Sequence, residues 1–339
     1  MKRINLNISV IALPIVFIIL LSGCKKEKTY KYSVGTFPDS VYVIEGINSA
    51  YDDYNTDLDY FGSNLFIVFS SNRTTNGGKF DLVTGSAEFS FDKYTGDFTF
   101  ISNMLDDPYY EALTDASNTS GDDFGPYRIL SNMDSHEYMF LTSEGTGGDL
   151  DLMYLKYLPT FGASIPDFGT LSSVDCLNSS SDDGYISFDA SQRKVFFSSD
   201  REGTFNIYTA DKPADVTLTD WFAQGPATVN KIDSIAGSFD DKCPMISRNV
   251  MVFTSNRAGG MGGYDLYYSI YQNGKWGSPV NFGPKINSTS NEYRPVLGYH
   301  NDFTNEFMIF SSDRPGGQGG YDLYFTGVVI PGDRTTIGK

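Results

Sequence analysis

One phrase recurs five times along this chain, and its recurrence constrains the fold more than any other feature. The copies start at residues 67, 138, 195, 251 and 308 and read IVFSSNRTTNGGKFDLVTG, YMFLTSEGTGGDLDLMYLK, VFFSSDREGTFNIYTA, MVFTSNRAGGMGGYDLYYS and MIFSSDRPGGQGGYDLYFT. Each copy contains an apolar segment, a polar turn and a second segment with apolar or aromatic residues, a pattern typical of a β-hairpin. The serine before the Asn, Asp or Glu recurs after 72, 56, 56 and 57 residues, so most repeat units have similar lengths.

A second, shorter element precedes each hairpin phrase. It reads INSAYDD from Ile47, SNTSGDD from Ser117, LNSSSDD from Leu177 and INSTSNE from Ile286, and IDSIAGSFDD from Ile232 fits with three extra residues. A strand-like run such as YRPVLGY or KCPMIS follows this element. Together with the hairpin and a further outer run, one unit holds about four short strands, and no long helical periodicity interrupts them.

Repeated four-strand units that cannot bury their own faces predict an all-β fold, a β-propeller with five four-stranded blades. The extra residues between Ser71 and Ser143 lack their own Ser-Ser-Asn phrase, which indicates a long hairpin or an insertion within a blade rather than a sixth blade. The segment SVYVIEG (40–46) is expected to complete the last blade and bring Tyr42 close to Tyr324. Such closure by an N-terminal strand would remove the exposed edge of an open ring.

The N-terminus has the features of a secretory signal. Lys2 and Arg3 precede an apolar stretch at 8–21 that is too short to span a bilayer as a helix, and LSGC ends at Cys24. This arrangement resembles a bacterial lipoprotein lipobox, which implies cleavage before Cys24, acylation of that residue and an outer membrane lipoprotein on the periplasmic face or cell surface. An ordinary signal peptide or a short anchor stays open as an alternative. The predicted divisions are a signal peptide (1–23), a lipidated Cys24 with a polar tether (24–38), a single propeller domain (39–330) and a C-terminal tail (331–339).

Composition excludes several classes of function. The chain has 42 acidic against 25 basic residues and a net charge of −17, which argues against nucleic acid as a partner and against electrostatic adhesion to anionic lipid. Cys176 and Cys243 could pair in an oxidising compartment, but two cysteines are no disulfide framework. His136 and His300 have no metal-ligand spacing, and no metal or cofactor is expected.

The candidate ligand-binding residues are one acid per blade, at the predicted start of each inner strand. They are Asp53, Asp123, Asp183, Asp241 and Glu292, and four of them follow another acid, at Asp52, Asp122, Asp182 and Asp240. If they surround the mouth of the central channel, they could bind a divalent cation, a basic partner segment or sugar hydroxyls. The alternative is architectural, with each carboxylate accepting backbone N–H groups at the start of its strand.

The polar residues of the hairpin phrase are expected to serve architecture, because an asymmetric active site seldom needs equal copies in every blade. Asn72, Asp200, Asn256 and Asp313 are expected to cap their own turns. The arginines that follow them (Arg73, Arg201, Arg257 and Arg314) are expected to pair with acids of the same or next blade, such as Asp265 and Asp322.

The last repeats also resemble a known family. KWGSPVNFGPKINSTSNEYRPVL followed by MIFSSDRPGGQGGYDLYFT is similar to the WD40-like (PD40) propeller repeat of TolB-type proteins, in the version found in bacterial envelope proteins with OmpA-like domains. The match is specific over 250–326 and weaker before it, and the chain has no OmpA-like segment. The resemblance implies a propeller in the cell envelope.

Two functions follow for such a chain. The favoured one is a lipid-anchored, non-catalytic propeller that binds an envelope protein or a glycan and is tethered to the membrane by its lipid. The alternative is a carbohydrate-active enzyme resembling five-bladed glycoside hydrolases, with carboxylates from different blades at the channel mouth. No catalytic residue is assigned, because the acids recur in every blade and neither a Ser-His-Asp set nor a nucleophile elbow is evident.

Overall fold

Five antiparallel sheets, one for each repeat unit, are arranged as the blades of a β-propeller. The computed structural model describes residues 29–144, 148–160 and 164–331. The predicted all-β propeller with five blades is confirmed. Each blade is built from an inner strand outward.

The strands follow one another blade by blade. After β1 (Tyr42–Val43), blade 1 contains β2 (Asp53–Tyr54), β3 (Asp59–Phe61), β4 (Asn64–Ser71), β5 (Asp81–Phe91) and β6 (Phe98–Met104). Blade 2 contains β7 (Asp123–Leu130), β8 (Glu137–Glu144), β9 (Leu150–Tyr157) and β10 (Ser172–Ser173), and blade 3 contains β11 (Asp183–Phe188), β12 (Lys194–Ser199), β13 (Asn206–Asp211) and β14 (Val229–Lys231). Blade 4 contains β15 (Asp241–Ser247), β16 (Val250–Ser255), β17 (Asp265–Gln272), β18 (Lys275–Trp276) and β19 (Val280–Asn281), and blade 5 contains β20 (Glu292–Gly298), β21 (Glu306–Ser312) and β22 (Asp322–Val328). Within a blade, successive strands are hydrogen-bonded neighbours except in blades 1 and 4, where β2 and β3 both pair with β4 and β18 and β19 both pair with β17.

The ring is closed by the N-terminal strand. β1 pairs with β22 in antiparallel register, with Tyr42 opposite Phe325 and Val43 opposite Tyr324. The expected proximity of the two ends is confirmed, and blade 5 becomes four-stranded by this pairing. Phe37, which precedes β1 in the stretch assigned by sequence to the tether, is fully buried and stacks on Phe303 with ring centroids 3.8 Å apart.

The long connection between the first two hairpin phrases holds no sixth blade. It contributes the long β5–β6 hairpin and then a helix, α1 (Pro108–Ser117), which begins after Asp107, whose side chain accepts the N–H of Tyr109. A second helix, α2 (Leu218–Phe222), follows blade 3's third strand and buries Trp221. A single 3₁₀ turn spans Arg73–Thr75. Among the residues described, no helix is long and apolar enough to cross a membrane.

The core lies between the blades rather than at the axis. The central strands β12, β16 and β21 are buried along almost their whole length, because each blade packs both faces against its neighbours. One cluster joins Phe140 of blade 2 to Phe188 and Phe197 of blade 3, and another joins Val252 of blade 4 to Phe310 of blade 5. The apolar hairpin runs that suggested strands are therefore the inter-blade core.

Candidate functional site

The five predicted acids occupy equivalent places in the structure. Asp53, Asp123, Asp183, Asp241 and Glu292 are each the first residue of an inner strand, and each is fully buried. In four blades the carboxylate accepts the backbone N–H of the residue four positions earlier, as Asp183 does from Ser179 at 2.7 Å. The contacts made by these carboxylates within their own blades match the architectural alternative that the sequence left open.

Four of the acids also bind the hairpin arginine of their own blade. The guanidinium nitrogens lie 2.5 to 2.9 Å from the carboxylates in the pairs Arg73–Asp53, Arg201–Asp183, Arg257–Asp241 and Arg314–Glu292. The expected pairing with Asp265 and Asp322 is wrong. Those two carboxylates instead accept backbone N–H groups from their own glycine-rich turns, such as Met261 N at 2.6 Å and Gln318 N at 2.8 Å.

Blade 2 differs because no arginine follows its hairpin serine. Asp123 is held by Thr119, whose backbone N–H and hydroxyl lie 2.7 and 2.9 Å from the two carboxylate oxygens. Burial raises the pKa of Asp123, and these hydrogen bonds offset only part of that effect. Burial also raises the pKa of Asp241 and Glu292 despite their arginines.

The residue before each of these acids links neighbouring blades. Its side-chain oxygen accepts a backbone N–H at or just before the start of the strand that follows the hairpin turn in the previous blade, at 2.8 to 3.2 Å in all five junctions. The donor–acceptor pairs are Phe80–Asp122, Leu150–Asp182, Phe205–Asp240, Tyr264–Asn291 and Tyr321–Asp52. The expectation that the polar hairpin residues cap their own turns is wrong for their side chains. These side chains instead accept the backbone N–H of the residue before the acid in the same blade. Asn72, for example, accepts from Asp52 N at 2.9 Å.

Different residues lie on the propeller axis. They are the second residue after each acid, namely Asn55, Gly125, Tyr185, Cys243 and Arg294, and all five have positive φ angles between 48° and 58°. Their side chains cross the axis: Asn55 Nδ2 donates to the Tyr185 hydroxyl of blade 3 at 3.3 Å, and Arg294 Nη2 of blade 5 donates to the Pro126 carbonyl of blade 2 at 3.0 Å. The channel is therefore filled by side chains rather than surrounded by the acids.

Sequence reasoning missed these axial residues. The signal that could have identified them is their constant offset from the acid, but their residue types differ in every blade, so no repeated letter marks them. Cys243 is one of them, and it is buried and unpaired, as is Cys176. The disulfide that the sequence left open is thus not formed.

An aromatic cavity lies above the axial residues. Its volume is about 270 Å³, and its lining consists of Asp52, Tyr54, Phe80, Tyr185, Tyr293 and Tyr321; we call this cavity the aromatic mouth. The Tyr54 ring centroid lies 5.0 Å from that of Phe80 and 5.4 Å from that of Tyr321. Concave, largely apolar cavities with a few polar groups are the usual form of small-ligand sites.

Two carboxylates adjoin this mouth. Asp52 lines it directly, and Asp122 accepts the backbone N–H of the mouth residue Phe80 at 2.8 Å. Both acids are half-buried, in contrast to the fully buried Asp53 and Asp123. Among the described residues, no group of three or more His, Cys, Asp or Glu side chains could hold a metal ion. The mouth thus offers aromatic ring faces together with accessible carboxylate oxygens.

No protein-family model and no curated protein sequence matches this chain. Solved structures do align with it. A thermostable family-43 glycoside hydrolase aligns with a TM-score of 0.52 at 12% identity, over 85% of this chain and 93% of that one. An endo-arabinase from Bacteroides thetaiotaomicron VPI-5482 aligns with 0.51 at 12% identity over 85% and 98%, and the catalytic domain of a GH62 α-L-arabinofuranosidase from Coprinopsis cinerea with 0.51 at 12% over 88% and 98%. These likenesses show the fold.

These comparisons correct the expected identity. The TolB-type resemblance is wrong, since no family model supports it and the aligned structures are glycoside hydrolase propellers. The favoured reading as a non-catalytic binding protein is wrong as well, since the aligned structures carry the names of a glycoside hydrolase and an arabinofuranosidase. The lipid anchor and the outer-membrane location stay predictions. Cys24 lies outside the described residues.

Proposed function

We propose that this chain is a carbohydrate-active enzyme that hydrolyses a glycan at the aromatic mouth. One observation carries the proposal: the half-buried Asp52 lines a cavity whose walls are almost entirely aromatic, and the half-buried Asp122 is hydrogen-bonded to Phe80 of the same wall. Tyrosine and phenylalanine rings can pack against the apolar faces of sugar rings, while carboxylates accept hydrogen bonds from sugar hydroxyls. The aligned glycoside hydrolase, endo-arabinase and arabinofuranosidase structures support the same class of activity.

Hydrolysis of a glycosidic bond by most glycosidases uses two carboxyl groups, one to protonate the leaving oxygen and one as base or nucleophile. Asp53 cannot take either role as placed, because it is buried and bound to Arg73. Asp52 and Asp122 each accept a backbone N–H through Oδ1, from Tyr321 and Phe80 respectively at 2.8 Å. Oδ2 of Asp52 also accepts a longer hydrogen bond from Asn72 Nδ2 at 3.3 Å. We assign the two catalytic carboxyl groups to Asp52 and Asp122.

The test is release of reducing sugar from a panel of arabinans, galactans and other polysaccharides by the purified protein. Asp52→Asn and Asp122→Asn should each lower kcat by about 100-fold or more, with a smaller effect on KM, because general acid–base groups contribute about 10²- to 10⁴-fold. Asp182→Asn is the matched control. Asp182 occupies the same position in blade 3 and accepts the N–H of Leu150 at 2.9 Å, but neither Asp182 nor Leu150 lines the mouth, whereas Asp122 binds the N–H of the mouth residue Phe80.

The outcomes separate a catalytic role from a structural one. If all three variants lose activity together, the loss reflects the inter-blade hydrogen bonds, and the assignment of Asp52 and Asp122 fails. If the wild-type protein releases no sugar from any glycan in the panel, the proposed function itself is refuted.

A further inference from the structure

Arg294 is the largest fully buried side chain of the described residues, and much of its guanidinium has no partner. Nη2 donates to the Pro126 carbonyl at 3.0 Å, whereas Nε and Nη1 have no hydrogen-bond acceptor. Within the described ranges no carboxylate forms an ion pair with it. The four hairpin arginines, by contrast, all bind carboxylates.

Such an arrangement is costly unless another group completes it. Arginine stays protonated in proteins, and a buried charge without a counter-ion carries a large desolvation penalty. The nearby axial thiol of Cys243 cannot supply the negative charge, because burial raises its pKa to about 12 and keeps it neutral. The missing counter-charge is therefore expected to come from a bound anionic group.

The unpartnered atoms lie around the ring that forms part of the aromatic mouth. The guanidinium carbon of Arg294 is 5.6 Å from the centroid of Tyr185. Asn55, whose Nδ2 donates to the Tyr185 hydroxyl, has an Oδ1 atom with no donor. Unused hydrogen-bond donors and an unused acceptor thus face the same side chain, a combination that suits a ligand carrying both a carboxylate and hydroxyl groups.

A second cation stands beside the mouth. Lys242 Nζ lies 3.7 Å from the ring centroid of Phe205 and 5.8 Å from that of Tyr264, whose ring contacts Tyr293 of the mouth. In the part of the chain that the structure describes, Lys242 has no ion pair. Two cations without carboxylate partners near one cavity are notable in a chain with a net charge of −17.

We propose that the sugar recognised at the mouth carries a carboxylate, as a uronic acid does, and that Arg294 binds this carboxylate. The proposal rests on the proposed function and names its substrate class. Arg294 is fully buried and does not line the cavity, whereas the Tyr185 ring beside its guanidinium does, so the carboxylate reaches Arg294 only when this ring turns aside. Lys242 adds longer-range attraction at the rim.

The test is calorimetric titration of the purified full chain with glucuronate and galacturonate, with glucose and galactose as neutral counterparts, and with acetate and chloride. We expect the uronates to bind about 10- to 100-fold more tightly than the neutral sugars, because a hydrogen bond to a charged group usually raises binding affinity by about that factor. Arg294→Met should reduce uronate affinity to the neutral level. Lys242→Met should reduce it by less, because Lys242 contacts only the rim.

The other outcomes separate failure of this inference from failure of the proposed function. Equal binding of acidic and neutral sugars by the wild-type chain would overturn it, even if Arg294→Met does not fold. Acetate or chloride binding as tightly as the uronates would assign the site to a small free anion instead. Hydrolysis of neutral glycans without a preference for acidic ones would refute this inference alone, whereas tight uronate binding without hydrolysis of any glycan would refute only the proposed activity.

Discussion

At the scale of single residues, the acids identified in the sequence and the residues on the axis differ in what determines them. The acids recur because four of them accept the backbone N–H of the residue four positions earlier and four bind the hairpin arginine of their blade, so a repeated letter marks them. The direction in which a carboxylate points is set by the strand it begins, and the sequence does not contain that direction. The axial residues share only a positive φ and fill one common space, so each blade contributes a different side chain.

Gly125 shows how tightly that space is filled. A Cβ atom at this position would lie 2.6 Å from Cδ1 of Tyr185, and the backbone φ is +55°. We expect Gly125→Ala to lower the free energy of unfolding by about 3 kcal/mol, from left-handed backbone strain and overpacking together. Chemical denaturation monitored by circular dichroism measures this.

The matched control for that substitution is Gly62→Ala. Gly62 has a similar φ of +62°, and a Cβ atom there would meet nothing within 4 Å. Its expected cost is about 1 kcal/mol, from the backbone alone. Equal losses at the two positions would show that Tyr185 moves freely and that the axis is not closely packed.

At the scale of elements, the strands, hairpins and blade boundaries were predictable because their signals are local and repeat. The long insertion was correctly kept within a blade, but its helix α1 was missed, since ten residues with only a narrow apolar face give little periodicity. The short element that precedes each hairpin phrase, such as LNSSSDD from Leu177, was recognised as a repeat, but its structural role was not predicted. Its asparagine forms two hydrogen bonds with the third strand of the previous blade, as Asn178 does with Leu152 N and O at 2.9 and 3.0 Å.

This role predicts that replacing one such asparagine lowers the stability of the protein strongly, whereas replacing its counterpart before blade 4 has almost no effect. Asn178→Ala should destabilise the protein by about 2–4 kcal/mol, because it leaves a buried backbone N–H and carbonyl without partners. Asp233 holds the same position in IDSIAGSFDD but is exposed, so Asp233→Ala should change stability by less than about 0.5 kcal/mol. A shift of similar size in both thermal melts would contradict the inter-blade role of the asparagine.

At the scale of the whole molecule, both the ring and its closure could be predicted from the sequence, because five repeats and a leftover N-terminal strand admit few arrangements. The aromatic mouth could not. Tyr54, Phe80, Tyr185, Tyr293 and Tyr321 come from three blades, and their convergence depends on the curvature of the complete ring. The family resemblance failed for a related reason, since a short repeat phrase reports the blade and not the site built upon it.

Closure predicts the behaviour of a shortened chain. A protein that starts at residue 47 lacks β1 and Phe37, so the edge of β22 and part of the core between blades 5 and 1 become exposed. We expect it to melt at a clearly lower temperature and to self-associate through that edge, as measured by calorimetry and by light scattering after size exclusion. A chain that starts at residue 29 retains both features and is the control; identical melting of the two would mean that the ring is stable without β1.

The pairing of β1 with β22 also has a temporal consequence. The ribosome makes β1 before any blade and β22 after all the others, so the first strand of the propeller must wait for nearly the whole chain before it finds its partner. Contacts between residues so distant in sequence are formed slowly, because a large loop must close first. The last blade therefore cannot be completed before β22 has been synthesised, and the newly made protein becomes a closed ring only after that point.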